Sequence, residues 1–295
     1  MFCPSEGENR FYNTVQLDTS VQIARLLRPA LRKPIETSLS RYQRKSSGTI
    51  ALQEFKRRVL KDAAYLLTKL NQTKSYKSAL EYVTSVLPPK QERKKTICQL
   101  LLHQILDNRS DEELTERARR YLRTLIMHGE KQFIDSLDEV VPESNCYLAR
   151  LPVREKKRYL FYEIETRCSK TKGKCQIEQF LFERRDICKG LLEFLTQLPN
   201  QRMTTELEKA REFLSKLVAK DFAQIAHSEE PCLRYGDLVL ALESQGYAVF
   251  YTMNHRESQA FADFLGQDLR VRPNNPENEE QTYLRSAKPW PLPPP

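Results

Sequence analysis

The stretch from Tyr235 to Glu257, YGDLVLALESQGYAVFYTMNHRE, constrains the fold of this chain more than any other. It reads as a short helix opened by an acid, a turn at Gly246, a buried strand from Tyr247 to Tyr251 and a polar strand end. Asp237 stands where a helix N-cap belongs, and Thr252, Asn254 and Glu257 fall just past the carboxyl end of the strand. Open α/β sheets bind their ligands at that edge. Two carboxylates delivered there need partners, and the rest of the chain supplies them.

Near the N-terminus, Thr14 to Leu17 is a short strand that runs into Asp18-Thr19-Ser20 and then an apolar-periodic helix through Val21, Ala24 and Leu27, the opening half of a βαβ unit. Pro29 and Pro34 break that helix. Ser46 to Gly48 reads as a turn, Thr49 to Leu52 as a second strand, and Glu54 as the acid opening the next helix. From about residue 73 to 225 the pattern is helix after helix, with stripes at Leu100, Leu101, Ile105 and Leu106 and at Leu114, Ala118, Tyr121, Leu122 and Leu125. Further helices are expected over 154–165, 176–196 and 204–226. The last helix covers Ala260 to Leu265, Leu269 to Val271 suits an edge strand, and beyond Pro273 the Asn-, Glu- and Pro-rich chain is expected to be an extended, mobile tail.

Charge adds a direction. The net charge is +9, and residues 1–72 hold 13 Lys and Arg against 6 Asp and Glu, so most of the excess is there. A basic surface near the N-terminus favours a polyanion, nucleic acid ahead of membrane. No apolar run approaches the roughly 18 residues of a membrane span, and the N-terminus lacks a signal pattern, so a cytoplasmic protein with no membrane partner is expected. Seven cysteines, an odd number in 295 residues, do not form a disulfide scaffold. Eight glycines include no P-loop and no GxGxxG, which argues against nucleotide hydrolysis and dinucleotide redox chemistry.

The two ends of the chain thus read as halves of one α/β domain, carrying Asp18 and Glu54 from the first half and Asp237 and Glu257 from the second. Four carboxylates at strand ends cannot all stay ionised together without a cation. Oxygen-only ligation suits Mg²⁺ or Mn²⁺, which present both a Lewis acid and an activated water to a phosphodiester. Each acid also has a plainer role. Asp18 and Asp237 would serve as helix caps worth about 1 kcal/mol apiece, Glu54 would complement a helix dipole, and Asn254 would be a turn residue.

VQLDTS (Val15 to Ser20), TIALQEF (Thr49 to Phe55), GDLVLA (Gly236 to Ala241) and TMNHRE (Thr252 to Glu257), in that order, resemble the acidic motifs of the PIN domain family. The resemblance implies a parallel-sheet α/β/α fold and a metal-dependent endonuclease that cleaves RNA, usually single-stranded. It places Asp18, Glu54 and Asp237 at the three core acids, Glu257 at the fourth and more variable one, and Thr252 and Asn254 in the Thr-x-Asn that supports the metal site. The chain departs from the family's pattern at Ser20, where Asn is common, and at Ser258, where an aromatic is common. The domain organisation that follows is a PIN-like first part over 12–72, a helical insertion over 73–225, a second part over 226–272 and a Pro-rich tail over 273–295.

The expected protein is therefore a Mg²⁺- or Mn²⁺-dependent endoribonuclease. Asp18, Glu54, Asp237 and Glu257 would bind metal, and Arg25, Arg28, Arg32, Lys56, Arg57 and Arg58 are candidates for phosphate contact. The alternatives are an inactive PIN-like module that binds nucleic acid or protein, and a nuclease acting on DNA. A second copy of the chain or an inhibitory protein stays open as a partner. Cys146, Cys168, Cys175 and Cys188 form a weaker candidate for structural Zn²⁺, since they lack a CxxC knuckle and free cysteine is commonly a small buried hydrophobe.

Overall fold

A computed structural model of the chain describes residues 13–156, 161–165, 176–219 and 234–285. Its centre is a six-stranded sheet built from β1 (Thr14–Leu17), β2 (Arg44–Gly48), β3 (Glu139–Val141), β6 (Val249–Thr252), β7 (Asp268–Val271) and β8 (Gln281–Tyr283), in the order β3-β2-β1-β6-β7-β8. All pairings are parallel except that of β7 with β8. The two ends of the chain do fold together, because β1 lies directly beside β6 with Val15 opposite Val249 and Leu17 opposite Tyr251.

Every residue of β1 and of β6 is buried, as expected of parallel strands covered on both faces. On one face Val15, Leu17, Val249 and Tyr251 pack against α1 (Thr19–Leu27) and α2 (Pro29–Leu39). On the other, Phe250, Leu269 and Val271 join a larger core shared with α12 (Gly236–Glu243), α13 (His255–Leu265) and the helices of the middle region. Those helices include α3 (Thr49–Phe55), which continues through a π-helical turn (Lys56–Leu60) into α4 (Lys61–Thr73). Beside them lie α5 (Tyr76–Glu81), α6 (Glu92–His103) and the 25-residue α7 (Asp111–Asp135). A capping box between Ser110 and Glu113 opens α7, and the apolar stripe through Leu114, Ala118, Leu122 and Leu125 faces the core.

Several elements differ from the sequence reading. The second strand is Arg44–Gly48, and Thr49 to Leu52 begins a helix. All seven residues of α3 are buried, and a short helix buried all round shows no amphipathic period to tell it from a strand. Within the helix expected over 154–165, β4 (Arg154–Lys156) instead pairs antiparallel with β5 (Phe161–Glu163), and residues 157–160 lie outside the described residues. Aromatic residues in β5 favour the pleated surface, and Lys156 pairs across to Glu163. A short α8 (Tyr147–Arg150) precedes this pair, and the helix expected over 176–196 is two, α9 (Ile177–Glu183) and α10 (Arg185–Gln197). The following helix, α11, is described over Thr205–Ala219.

The proposed boundaries shift as well. β3 arises inside the 73–225 segment yet pairs with β2, and β8 arises inside the 273–295 segment yet pairs with β7, so β7 is not an edge. Glu280 anchors this last strand through Arg270 (3.1 Å) and Arg272 (2.5 Å). Residues 286–295, the end of the Pro-rich tail, lie outside the described residues. No helix among the described residues is long and apolar enough to cross a membrane.

Candidate functional site

The sheet order sets the site. From β1 the chain moves away to β2, while from the neighbouring β6 it moves the opposite way to β7, so a crevice opens outside the carboxyl ends of β1 and β6. Asp18 follows β1 immediately, and its backbone N–H donates to Tyr251 O across the sheet at 2.9 Å. It occupies the N-cap position of α1, but its side chain makes no capping hydrogen bond. Its Oδ2 instead accepts from Thr252 Oγ1 at 2.7 Å and from Ser20 Oγ. Thr252 in turn accepts from the Asn254 backbone N–H (2.9 Å), and Ser20 accepts from the Met253 N–H (3.1 Å). These bonds hold Asp18 to the end of β6.

Glu54 comes from the second turn of α3 and is only 3% exposed. Its Oε1 is shared by Arg57 (3.3 Å) and Arg58 (3.1 Å) from the π-helical turn. The same carboxylate presses against the start of α12, where a Cβ on Gly236 would stand 2.8 Å from Oε1, so a glycine is what permits the approach. Asp237 lies in the first turn of α12, whose N-cap is Tyr235 rather than Asp237, and Glu257 lies in the first turn of α13, whose N-cap is Asn254.

Three of the four acids, Glu54, Asp237 and Glu257, line one cavity, and Asp18 acts on Asp237 through its charge. Burial first, then the charges of Asp18 and Glu54, and lastly that of Glu257 push the Asp237 carboxyl up to about 7 from 3.8, against the pull of Arg58. Asp237 is nevertheless exposed where it lines a cavity, so solvent screens part of this rise. That cavity, of about 330 Å³, has Glu54, Asp237, Glu257 and Asn254 in its wall together with Arg57, Arg58, Arg93 and Arg234. Acids and arginines in one concavity suit a phosphate ester approached by a cation.

Tested as ligands, the residues fit a hard divalent cation in donor chemistry: all oxygen, with burial and then the charges of Asp18 and Glu54 raising the Asp237 carboxyl. They do not form a finished cage, since no group of three or more His, Cys, Asp or Glu able to hold a metal ion occurs among the described residues. Glu54 is paired with two guanidinium groups.

The basic candidates separate sharply. Arg25 is buried, pairs with Glu36 at 2.6 Å and donates to Gln22 and to Ser136 O, so it braces α1 instead of meeting phosphate. Lys56 is 2% exposed, pairs with Glu130 at 2.7 Å and donates to Ala149 O and Leu151 O. Arg32 caps carbonyls of α1, and Arg28 bonds Asn274. Arg57 and Arg58 alone of the six line the cavity. Sequence reasoning passed over Ser20 as a support of Asp18, although a serine two residues after an aspartate signals such a bond. Arg93 and Glu206 carried no local signal at all, as they reach the cavity from α6 and α11.

Of the zinc candidates, Cys146 and Cys188 are buried free thiols, and Cys168 and Cys175 lie outside the described residues. The fold and site define an α/β protein with a mostly parallel sheet and an acidic cluster at its topological switch point. Comparison of the chain with protein families, with curated proteins and with solved structures gives no match.

Proposed function

We propose that this chain is a PIN-like, Mg²⁺- or Mn²⁺-dependent endonuclease acting on single-stranded RNA. The observation that carries the reading is the placement of Glu54, Asp237 and Glu257 in one cavity wall, where burial first and then the charges of Asp18 and Glu54 raise the Asp237 carboxyl to about 7. Isolated helix caps would not repel one another in this way. The arginine-lined cavity at the carboxyl edge of the sheet supports the same reading.

In this mechanism Asp18, Asp237, Glu54 and Glu257 would hold the metal, directly or through water. When bound, Mg²⁺ or Mn²⁺ supplies a Lewis acid for the phosphoryl oxygen and lowers the pKa of a water. Thr252 and Ser20 keep Asp18 oriented through their hydroxyl donors. Asp237 would bind the cation as its carboxylate, its proton passing to solvent. Arg57, Arg58 and Arg93 take the negative oxygens of the substrate. Glu54 would join the other acids at the metal were Arg57 and Arg58 to pair with that substrate instead.

Labelled single-stranded RNA incubated with Mn²⁺ and the wild type should be cut, while Asp18→Asn and Asp237→Asn should lose at least a hundredfold in rate. Equal absence of cleavage in all three, over several RNAs and both metals, would remove the enzyme. A second reading, a nucleic-acid-binding module without turnover, is favoured by the pairing of Glu54 with two arginines. Wild type that binds RNA but takes up no Mn²⁺ in calorimetry would establish it. DNA of the same sequence, run in parallel, decides the sugar.

A further inference from the structure

We infer that a ridge leading out of the cavity along the helix that carries Glu54 is the track for the RNA strand, formed by Arg57, Lys61, Tyr65 and Lys69 with Lys94 and Tyr82 at its side. The placement of the scissile bond rests on the nuclease reading; the track itself concerns binding alone. The four ridge residues are spaced by four, which aligns them along one face of a helix. Arg57 stands in the cavity wall at the π-helical turn, and Lys69 lies about 12 Å beyond Lys61 at the rise of an α-helix. The ridge therefore begins at the acids and extends for several nucleotides.

Its far half joins cations to aromatic rings. The Lys94 ammonium sits 4.4 Å from the centroid of Tyr65, and that of Lys69 sits 4.4 Å from Tyr82 and 5.9 Å from Tyr65. The phenols are linked by a Tyr65-to-Tyr82 hydrogen bond of 3.0 Å. Neither Lys69 nor Lys94 makes an ion pair with a described residue, so these charges are held on rings rather than neutralised by carboxylates. The acid beneath the patch, Asp62, is buried, and burial raises its carboxyl to about 6 against the pull of Lys94 and Lys61. A hydrogen bond from Tyr65, followed by the charge of Lys69, lowers the Tyr82 phenol.

A single strand suits this combination: as the Lys69 and Lys94 ammonium groups move from the rings to phosphates, the faces of Tyr82 and Tyr65 are given up to bases. An acidic peptide would satisfy the lysines and leave the rings without a stacking partner. Arg93, next to Lys94 on α6, stands in the cavity wall, so the flank of the ridge also leads to the acids.

The test uses the full chain in EDTA, so that binding is read without cleavage, and a 5′-labelled oligouridylate of about 12 nucleotides, within the length such channels cover. Lys69→Gln and Lys94→Gln should each reduce the slope of log K against log salt by about 0.7, the share of one phosphate contact on a single strand. Tyr65→Ala should weaken binding about 5- to 150-fold, as expected for the loss of one stacked base. If Tyr65→Ala fails to fold, the two lysine variants decide. Unchanged slopes in both would overturn the track, as would displacement of the RNA by polyglutamate as readily as by unlabelled RNA, or tighter binding of duplex RNA. Failures of the two proposals differ: variants that lose RNA while the wild type cuts nothing keep the track and remove the nuclease. A cutting wild type with fully binding variants does the reverse.

Discussion

Replacing Asp237 by Asn should flatten the pH dependence of stability by an amount that the site geometry sets. The folded protein raises the Asp237 carboxyl from 3.8 to about 7. The native state therefore holds this proton more tightly than the unfolded chain does. Its stabilising contribution is complete below about pH 4 and is lost as pH rises through about 7. Between about pH 5 and pH 8 the unscreened loss amounts to about 2.6 kcal/mol. Asp237 opens onto the cavity, so screening by solvent reduces this to about 1 kcal/mol. Urea unfolding in EDTA at several pH values, for wild type and Asp237→Asn, measures the difference directly. Glu243, another acid raised to about 7, is present in both proteins and cancels. Wild type should fall relative to the variant as pH rises, and Mn²⁺ at about pH 8 should restore it by binding the ionised cluster. A stability difference that stays constant with pH, or that moves in favour of wild type, would refute the convergence of the four carboxylates.

Glu243→Gln should show the same sign with a larger size, because this acid is fully buried between Thr49 and Ser144. Relative to the variant, wild type should lose about 2.5 kcal/mol between about pH 5 and pH 8 in urea unfolding, and parallel pH curves would contradict the assignment. Thr252→Val removes the donor to Asp18 and should weaken Mn²⁺ binding about 10- to 100-fold by calorimetry, with unchanged affinity denying Thr252 its orienting role. Lys56→Met should cost about 3 kcal/mol in chemical unfolding, since it strands two carbonyls and Glu130, and leave RNA affinity intact; the opposite pattern would return Lys56 to the phosphate contacts. Arg57→Gln combined with Arg58→Gln should tighten Mn²⁺ binding in the absence of RNA, because Glu54 loses both its partners, and calorimetry showing weaker binding would sink that account.

What the sequence reveals and what it hides follow from physical causes that can be assigned residue by residue. β1 and β6 are legible because each short apolar run ends abruptly in polar residues, Asp18-Thr19-Ser20 and Thr252 to Glu257, and that break is the strand end at which a parallel sheet places its site. β2 is not, because Ser46, Ser47 and Gly48 look like a turn. They are small for reasons of packing: Ser47 Oγ donates to Leu17 O at 2.8 Å, and a Cβ on Gly48 would run into the Glu243 carboxylate. β3 and β8 escape notice because three-residue strands carry too little pattern, and their sheet partners lie far away in sequence. Charge alone also fails to rank basic residues. Lys56, Arg57 and Arg58 are adjacent, yet the π-helical turn sends the first into the core and the other two to the cavity.

The middle region is accordingly part of the site and not an appendage to it. α6 contributes Arg93 and α11 contributes Glu206 and Ala210 to the same wall as Glu54 and Asp237. Phe213 of α11 stacks on Tyr235 at 4.2 Å, immediately before the Gly236-Asp237 pair. The start of α12 is therefore fixed from two sides, by Glu54 against Gly236 and by Phe213 against Tyr235. Under the proposed function this has a mechanistic consequence. Glu54 can leave Arg57 and Arg58 for a cation without displacing Asp237, because the aromatic stack holds α12 in place when the carboxylate turns. A substrate that drew the two arginines away would thus free Glu54 to help hold a cation, and linkage would require that coupling to be equal in both directions.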